Sequence, residues 1–141
     1  MARGLPGVFE LNTNAKNVSD AELDVLKALW DREEGTVREL VSDLHGIGRD
    51  WAYTTVQTLL RRLVEKGYVK ANQNTYAHVF TPQISRDELV HERLSDLATR
   101  VCDGSRTALI MSLYDGHKAT ADEISHLKAL LASLEKQART D

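Results

Sequence analysis

The pattern of apolar and polar positions between residues 50 and 82 changes from a helical period to a strand-like one. An apolar stripe spaced at i, i+4, i+7, i+8 and i+11 comprises Ala52, Val56, Leu59, Leu60 and Leu63. This spacing predicts a helix with one core-facing side, ended by Gly67, because glycine adopts the left-handed conformation after a helix at no steric cost. Residues 68–70 and 76–81 then favour strands around a polar turn at 72–75.

The opposite side of this predicted helix is polar and partly basic. It comprises Thr54, Thr58, Arg61, Arg62 and Glu65, with Thr55 and Gln57 on its flanks. Arginine can grip a guanine edge, glutamine an adenine edge, and threonine offers a hydroxyl and a methyl group. A polar outer face is equally typical of a solvated helix, so this stretch alone leaves both interpretations open.

Two further helices are predicted before this stretch, each opened by a capping box. Ser19 and Glu22 begin the first helix, which runs to about Trp30 or Arg32, and Thr36 and Glu39 begin the second. The second helix ends near residues 45–46. The expected core positions are Leu23, Leu26, Leu29, Trp30, Val37, Leu40, Val41 and Leu44. Three helices followed by a hairpin is the order of a winged helix-turn-helix.

After residue 82 the pattern is helical only. Capping boxes at Ser85 and Thr120 and breaks at residues 103–104 and 115–116 predict three helices. Their apolar positions form heptad-like seams, in which the expected dimer contacts are Val90, Leu94, Leu97, Val101, Leu109, Leu113, Ile124, Leu127, Leu131 and Leu134. The segment after residue 82 is too short to build much of a core by itself. We therefore expect these helices to pair with a second copy in a homodimer. The alternative is a helical subdomain folded back on the first domain.

These patterns together predict a mainly α fold: a winged helix-turn-helix domain with a small β-hairpin wing, plus a C-terminal helical dimerisation region. The expected division is a flexible arm at 1–18, a DNA-binding domain at 19–82 and a dimerisation domain at 83–141. In the arm, Arg3 and Lys16 could reach DNA, although a disordered terminus is the favoured interpretation.

Charge is distributed unevenly along the chain. The net charge is −3 overall, which is unusual for a DNA-binding domain. Residues 19–50 carry nine acidic and four basic side chains, whereas residues 51–82 carry four basic side chains and one acidic one. The positive charge is therefore concentrated in residues 51–82, the stretch that we expect to contact DNA. Binding through the release of counterions from phosphates requires positive charge there.

The sequence contains little that suggests catalysis, a metal or a cofactor. His45, His78, His91, His117 and His126 are scattered, and the single cysteine, Cys102, has no evident base. Nucleophile-elbow, P-loop and dinucleotide-binding motifs are absent. We expect no enzyme, no cofactor and no metal site. His78 differs from the other histidines because it lies on the predicted wing, where it can approach a phosphate.

The run of apolar residues is nowhere long enough to span a bilayer, and the first ten residues lack a signal-peptide core. We therefore expect a cytoplasmic protein with no membrane insertion. Trp51 is expected to pack in the core, whereas for Tyr53 core packing and phosphate contact both stay open.

The chain contains, in this order, the segments SDAELDVLKALW, TVRELVSDL, WAYTTVQTLLRRLVEKGYV and YAHVFTP, followed by three short predicted helices. This arrangement resembles the penicillinase-repressor family, the BlaI/MecI/CopY group. The resemblance implies a homodimer that represses transcription by occupying a palindromic operator, for β-lactam-response or related genes. It places operator contacts at Thr54, Thr55, Gln57, Thr58 and Arg62 and near His78. Apart from the resemblance, their charge makes Arg61, Lys66 and Lys70 expected phosphate contacts, and Tyr53 is a candidate for another.

Two departures restrict what the resemblance implies. The Asn-Phe bond cleaved in penicillinase repressors corresponds to Ser112-Leu113, so release by a membrane sensor-protease is expected only by resemblance. The cysteine cluster of copper-responsive members does not match the chain, which ends LEKQARTD, so release by that cluster is not expected. A protein-interaction adaptor is the alternative function, because winged helices also dock on proteins and the chain is acidic overall.

Overall fold

The computed structural model describes residues 17–74 and 76–140. The elements, in chain order, are α1 (Asp20–Arg32), α2 (Val37–Gly46), α3 (Tyr53–Glu65), β1 (Val69–Asn72), β2 (Val79–Pro82), α4 (Arg86–Arg100), α5 (Arg106–Tyr114) and α6 (Ala121–Thr140). Three helices precede a two-stranded hairpin, which is the predicted winged helix-turn-helix order. The fold class expected from the sequence is confirmed.

The capping boxes fix the starts of the helices. At α1, Ser19 Oγ accepts the amide of Glu22 at 3.1 Å, and the amide of Ser19 donates to Glu22 Oε1 at 2.9 Å. Thr36 and Glu39 make the same reciprocal pair at α2. The boxes at Ser85 and Thr120 also form, so all four predicted helix starts are confirmed.

The core of the first unit lies between α1, α2 and α3. Its fully buried side chains include Val25, Leu26, Leu29, Leu40, Leu44, Val56, Leu60 and Leu63. Most of these positions follow the predicted stripes, although Val25 was not among them. The prediction that Ala52 belongs to the buried face of α3 is wrong. Ala52 is exposed, because it is the extended N-cap residue before α3.

The end of α3 is a Schellman motif. Gly67 has φ +84°, its amide donates to the carbonyl of Val64 at 3.0 Å, and the amide of Tyr68 donates to the carbonyl of Leu63 at 3.0 Å. These two hydrogen bonds pair carbonyl groups that have no amide donor left within the helix. The side chains of Tyr68 and Leu63 are both buried. The expected role of Gly67 is confirmed.

The wing is shorter than the sequence predicted. β1 and β2 pair antiparallel from Val69 with Pro82 to Asn72 with Val79, and residues 76–78 lie outside the strands. A contact missed by the sequence anchors the wing: Gly35, between α1 and α2, exchanges backbone hydrogen bonds with Phe80 at 2.8 and 3.0 Å. β2 is therefore held from both sides.

The chain divides into two compact units between Val90 and His91, within α4. The first unit extends past the hairpin because Ile84 and Leu89 are buried in its core. Val18, placed in the arm by the sequence, is buried in the same core. The expectation for residues 1–16 of the arm, including Arg3 and Lys16, lies outside the described residues.

The second unit contains the remainder of α4 with α5 and α6. Among the described residues after Val90, Ala98 is the one hydrophobic side chain that is buried. The side chains of Leu94, Leu97, Val101, Leu113, Ile124, Leu131 and Leu134 are between 39% and 70% exposed. Within residues 17–74 and 76–140, no helix has both the length and the apolar character needed to cross a membrane.

Candidate nucleic-acid interface

The outward side of α3 is formed by polar residues, as the helical spacing predicts. Val56, Leu59, Leu60 and Leu63 are buried and Val64 packs against the core, so most of the remaining positions of the helix are turned to solvent. The exposed residues are Tyr53, Thr54, Thr55, Gln57, Arg61, Arg62 and Glu65, and Thr58 is half-buried. The structure therefore places the predicted α3 contacts on one accessible surface.

The start of α3 differs from the starts of α1 and α2. Ala52 is its N-cap residue and supplies no capping side chain, whereas α1 and α2 begin with Ser19 and Thr36. The first amide groups of a helix carry partial positive charge and lack acceptors within the helix. In α3 they lie beside the exposed Tyr53 and Thr54, where an anionic group can approach them.

Seven of the cationic side chains of the first unit fall into two groups according to their partners. Three of them pair with carboxylates: Arg32 with Asp43 at 2.7 Å, Arg49 with Asp24 at 2.9 Å and Lys66 with Glu22 at 2.6 Å. In contrast, Arg38, Arg62 and Lys70 have no ion pair among the described residues, and Arg61 donates only to Thr58 Oγ1 at 3.3 Å. The second group keeps its charge available for an external anion.

Lys66 does not occupy the position expected of a phosphate contact. Its Nζ lies 2.6 Å from Glu22 Oε1 and 2.6 Å from the carbonyl oxygen of Asn17, and its side chain is 20% exposed. Burial alone raises the pKa of the Glu22 carboxyl, but hydrogen bonds from Lys66 and the Ser19 amide outweigh it and hold the pKa below the ordinary value. We assign Lys66 a structural role, which sequence reasoning missed because its partner is 44 positions away.

A cleft of about 580 Å³ lies between the wing, α3 and the start of α2. Its lining includes Tyr53 and Gln57 from α3 and His78 from the wing, which the sequence had nominated separately. It also includes Arg38 and Tyr76, which the sequence had not nominated. Lys70 is not brought to this cleft, since it lines another one with Glu34 and Asn72.

Trp51 and His45 stabilise the connection between α2 and α3. Trp51 is partly buried and packs against the core, as expected. Its carbonyl oxygen lies 3.1 Å from His45 Nε2, and the guanidinium of Arg49 lies 5.9 Å from the centre of its ring. This geometry fixes the chain just before the exposed start of α3.

A winged helix-turn-helix with an exposed polar third helix and unpaired cations beside it has the architecture of a DNA-binding module. The penicillinase repressor family model matches residues 18–133. The chain belongs to the penicillinase repressor family.

Relatives extend over most of the chain. The transcriptional regulator BlaI of Mycobacterium tuberculosis is 36% identical over 119 residues, covering 84% of this chain and 85% of the relative. The penicillinase repressor of Bacillus licheniformis is 25% identical over 114 residues, covering 81% and 88%. A solved structure, the Bacillus licheniformis BlaI monomeric form in complex with the blaP half-operator, is 32% identical with a TM-score of 0.44 and covers 51% of this chain and 87% of that one.

Proposed function

We propose that this protein is a homodimeric repressor that occupies a palindromic operator, in front of a β-lactam-response or related gene. The observation that carries the proposal is the exposed face of α3, which presents threonine, glutamine and arginine side chains beside an N-terminus without a side-chain cap. Membership of the penicillinase repressor family supports it.

Within this proposal, the reading residues are Thr54, Thr55, Gln57, Thr58 and Arg62. Their side chains offer the donors, acceptors and methyl groups that distinguish bases in the major groove. Tyr53, Arg61, Lys70 and His78 supply contacts to phosphates, which add affinity without sequence information. Thr58 has a second task, since its hydroxyl accepts a hydrogen bond from Arg61 at 3.3 Å and restrains that guanidinium.

The apolar residues of α4, α5 and α6, most of which are exposed, support the dimer. A helix whose apolar residues face water is normally buried against another surface. The dimer contacts we propose are Val90, Leu94, Leu97, Val101, Leu109, Leu113, Ile124, Leu127, Leu131 and Leu134. Pairing through them sets two α3 helices in successive major grooves, about 34–36 Å apart for half-sites one helical turn apart.

A gel-shift experiment with DNA from upstream of the protein's own gene tests the function. We expect retention that is selective for sequence and weakens steeply as salt rises. Replacing Arg62 or Thr58 by alanine should cost about 1–3 kcal/mol of binding free energy and relax selectivity at one operator position. If both variants bind like the unmodified protein at fixed salt, the proposed reading face is wrong.

The same experiment separates the repressor from a protein-interaction adaptor. If the protein is an adaptor, it should retain no duplex at physiological salt.

The proposal of a membrane sensor-protease as a partner rests on the family resemblance alone. It is tested by exposing cells that contain the protein to a β-lactam and then immunoblotting, because proteolytic release would produce a shortened chain.

A further inference from the structure

Trp30, in the last turn of α1, contacts the segment that leads from the wing into α4. Its indole Nε1–H donates a hydrogen bond to the carbonyl oxygen of Ile84 at 2.8 Å, across 54 positions of sequence. The guanidinium of Arg86 lies 4.8 Å from the centre of the Trp30 ring, which is the distance of a cation–π contact. We call these three residues together the α1–α4 contact.

The backbone on either side of this contact is also fixed to the first unit. The amide of Gln83 donates to the carbonyl of Tyr68 at 2.7 Å, and the capping box at Ser85 begins α4. The side chains of Ile84 and Leu89 are 7% and 6% exposed and belong to the core. The first turn of α4 is therefore attached to the winged helix by its backbone, its side chains and its apolar packing.

Arg86 is the first residue of α4, where the helix dipole disfavours a positive charge. Its side chain is exposed, and in the part of the chain that the structure describes it has no ion pair. Arg106 has the same place at the start of α5 and is also exposed, but it lies over no aromatic ring among the described residues. The interaction with Trp30 is thus what distinguishes Arg86 from an ordinary solvated arginine at a helix start.

The start of α4 matters for a dimer because α4 crosses the boundary between the two units. The same helix contains Val90, Leu94 and Leu97, the first of the dimer contacts that we propose. The chain therefore passes through the α1–α4 contact on its way from α3 to the contacts that pair two copies. Inserting one base pair between half-sites moves them apart by about 3.4 Å and rotates them by roughly a tenth of a turn. A dimer whose first units are fixed at the start of α4 resists that change.

From these contacts we propose that Trp30 and Arg86 are positioning residues that determine which spacing of operator half-sites the homodimer accepts. Neither residue touches DNA, and both act through the first turn of α4. The proposal rests on the proposed function, because it requires a dimer on two half-sites. Selectivity then has two parts: α3 selects the bases of each half-site, and the α1–α4 contact selects the distance between them.

The test measures spacing selectivity with the full chain and two duplexes. The first duplex is upstream DNA in which footprinting has located both half-sites, and the second has one base pair inserted between them. The readout is the ratio of the two affinities, since a loss of folded protein lowers both affinities alike and leaves their ratio unchanged. We expect the unmodified protein to favour the native spacing. Arg86→Gln should reduce the ratio about two- to fivefold, the contribution of one exposed cation–π contact.

Arg106→Gln is the matched control, because it removes the same side chain from the same helix position without an aromatic neighbour. It should leave the ratio within error. Trp30→Phe is a second variant, which keeps an aromatic ring beside Arg86 but removes the N–H group that binds Ile84. It should reduce the ratio in the same direction as Arg86→Gln.

The failure of this proposal is distinguishable from the failure of the proposed function. If Arg86→Gln and Trp30→Phe keep the ratio of the unmodified protein, or weaken both duplexes alike, the α1–α4 contact is structural only and the proposal is overturned. Selective binding by the unmodified protein would still uphold the proposed function in that case. Equal binding of both spacings by the unmodified protein would also overturn the proposal. If the unmodified protein binds neither duplex, the proposed function fails and this proposal fails with it.

Discussion

The ammonium of Lys66 lies 2.6 Å from Oε1 of Glu22, although the two residues are 44 positions apart. The same carboxylate oxygen accepts the amide of Ser19 and closes the capping box of α1. Glu22 is only 2% exposed, so this contact is part of the core. One carboxylate therefore fixes the start of α1 and the residue that ends α3.

Replacing Lys66 by methionine should destabilise the fold. It removes one partner of a largely buried ion pair, which typically costs about 3–5 kcal/mol, and we expect the lower end because Lys66 is 20% exposed. Urea denaturation monitored by circular dichroism measures the change.

Lys70→Met is the matched control for Lys66→Met. Lys70 is exposed without an ion pair among the described residues, so its replacement should change the free energy of unfolding by less than about 0.5 kcal/mol. The replacement should instead weaken binding to all duplexes alike, and it should lower the slope of log affinity against log salt concentration by about one. Equal loss of stability in the two variants would contradict the roles assigned to these lysines.

Stability should fall in acid partly through Glu22. Its folded pKa lies below the ordinary value of 4.5, so the unfolded chain binds more protons in the interval between the two. The contribution is complete above the ordinary value and is lost as pH falls through the folded pKa.

Urea unfolding of the unmodified protein and Glu22→Gln over a pH series isolates this contribution. The pKa of Asp43 is also lowered, by its hydrogen bond with Arg32, so only the difference between the two proteins reports on Glu22. The difference in unfolding free energy should shrink as pH decreases below about 4.5. Parallel curves would show that the Glu22 carboxylate does not carry the effect.

Gly67→Ala should destabilise the end of α3. Gly67 has φ +84°, and holding an alanine in the left-handed region costs about 1–2 kcal/mol. Gly46→Ala is the control: it ends α2, has no positive φ, and a Cβ there would meet nothing within 4 Å. Thermal unfolding should show a lower Tm for Gly67→Ala alone, and similar values for both variants would refute the Schellman explanation.

A charge in the proposed dimer seam should separate the subunits. Leu131 on α6 is 59% exposed in one chain, and burying a glutamate at that position in the dimer would be strongly unfavourable. Ala129→Glu is the control, because Ala129 is exposed on the same helix but outside the seam. Sedimentation equilibrium should give monomers for Leu131→Glu and dimers for Ala129→Glu; the reverse, or no difference, would place the interface elsewhere.

The sequence determined the elements of the fold because their signals are local. A capping box needs only Ser19 and Glu22 three positions apart, and the end of α3 needs only a glycine at residue 67. The apolar spacing of α3 likewise identified its exposed side. These interactions lie within a turn of one helix, so residue type and spacing are sufficient to predict them.

The tertiary structure decided which charged side chains remain unpaired and therefore available to bind an external anion. Lys66 and Lys70 are both lysines in a basic stretch, yet only Lys66 meets a carboxylate, because the fold brings Glu22 beside it. Arg38 belongs to the acidic part of the sequence, yet it lines a cleft without acids beside His78. Charge depends on local residue type, but its pairing depends on chain segments far apart in sequence, and only the packed fold brings those together.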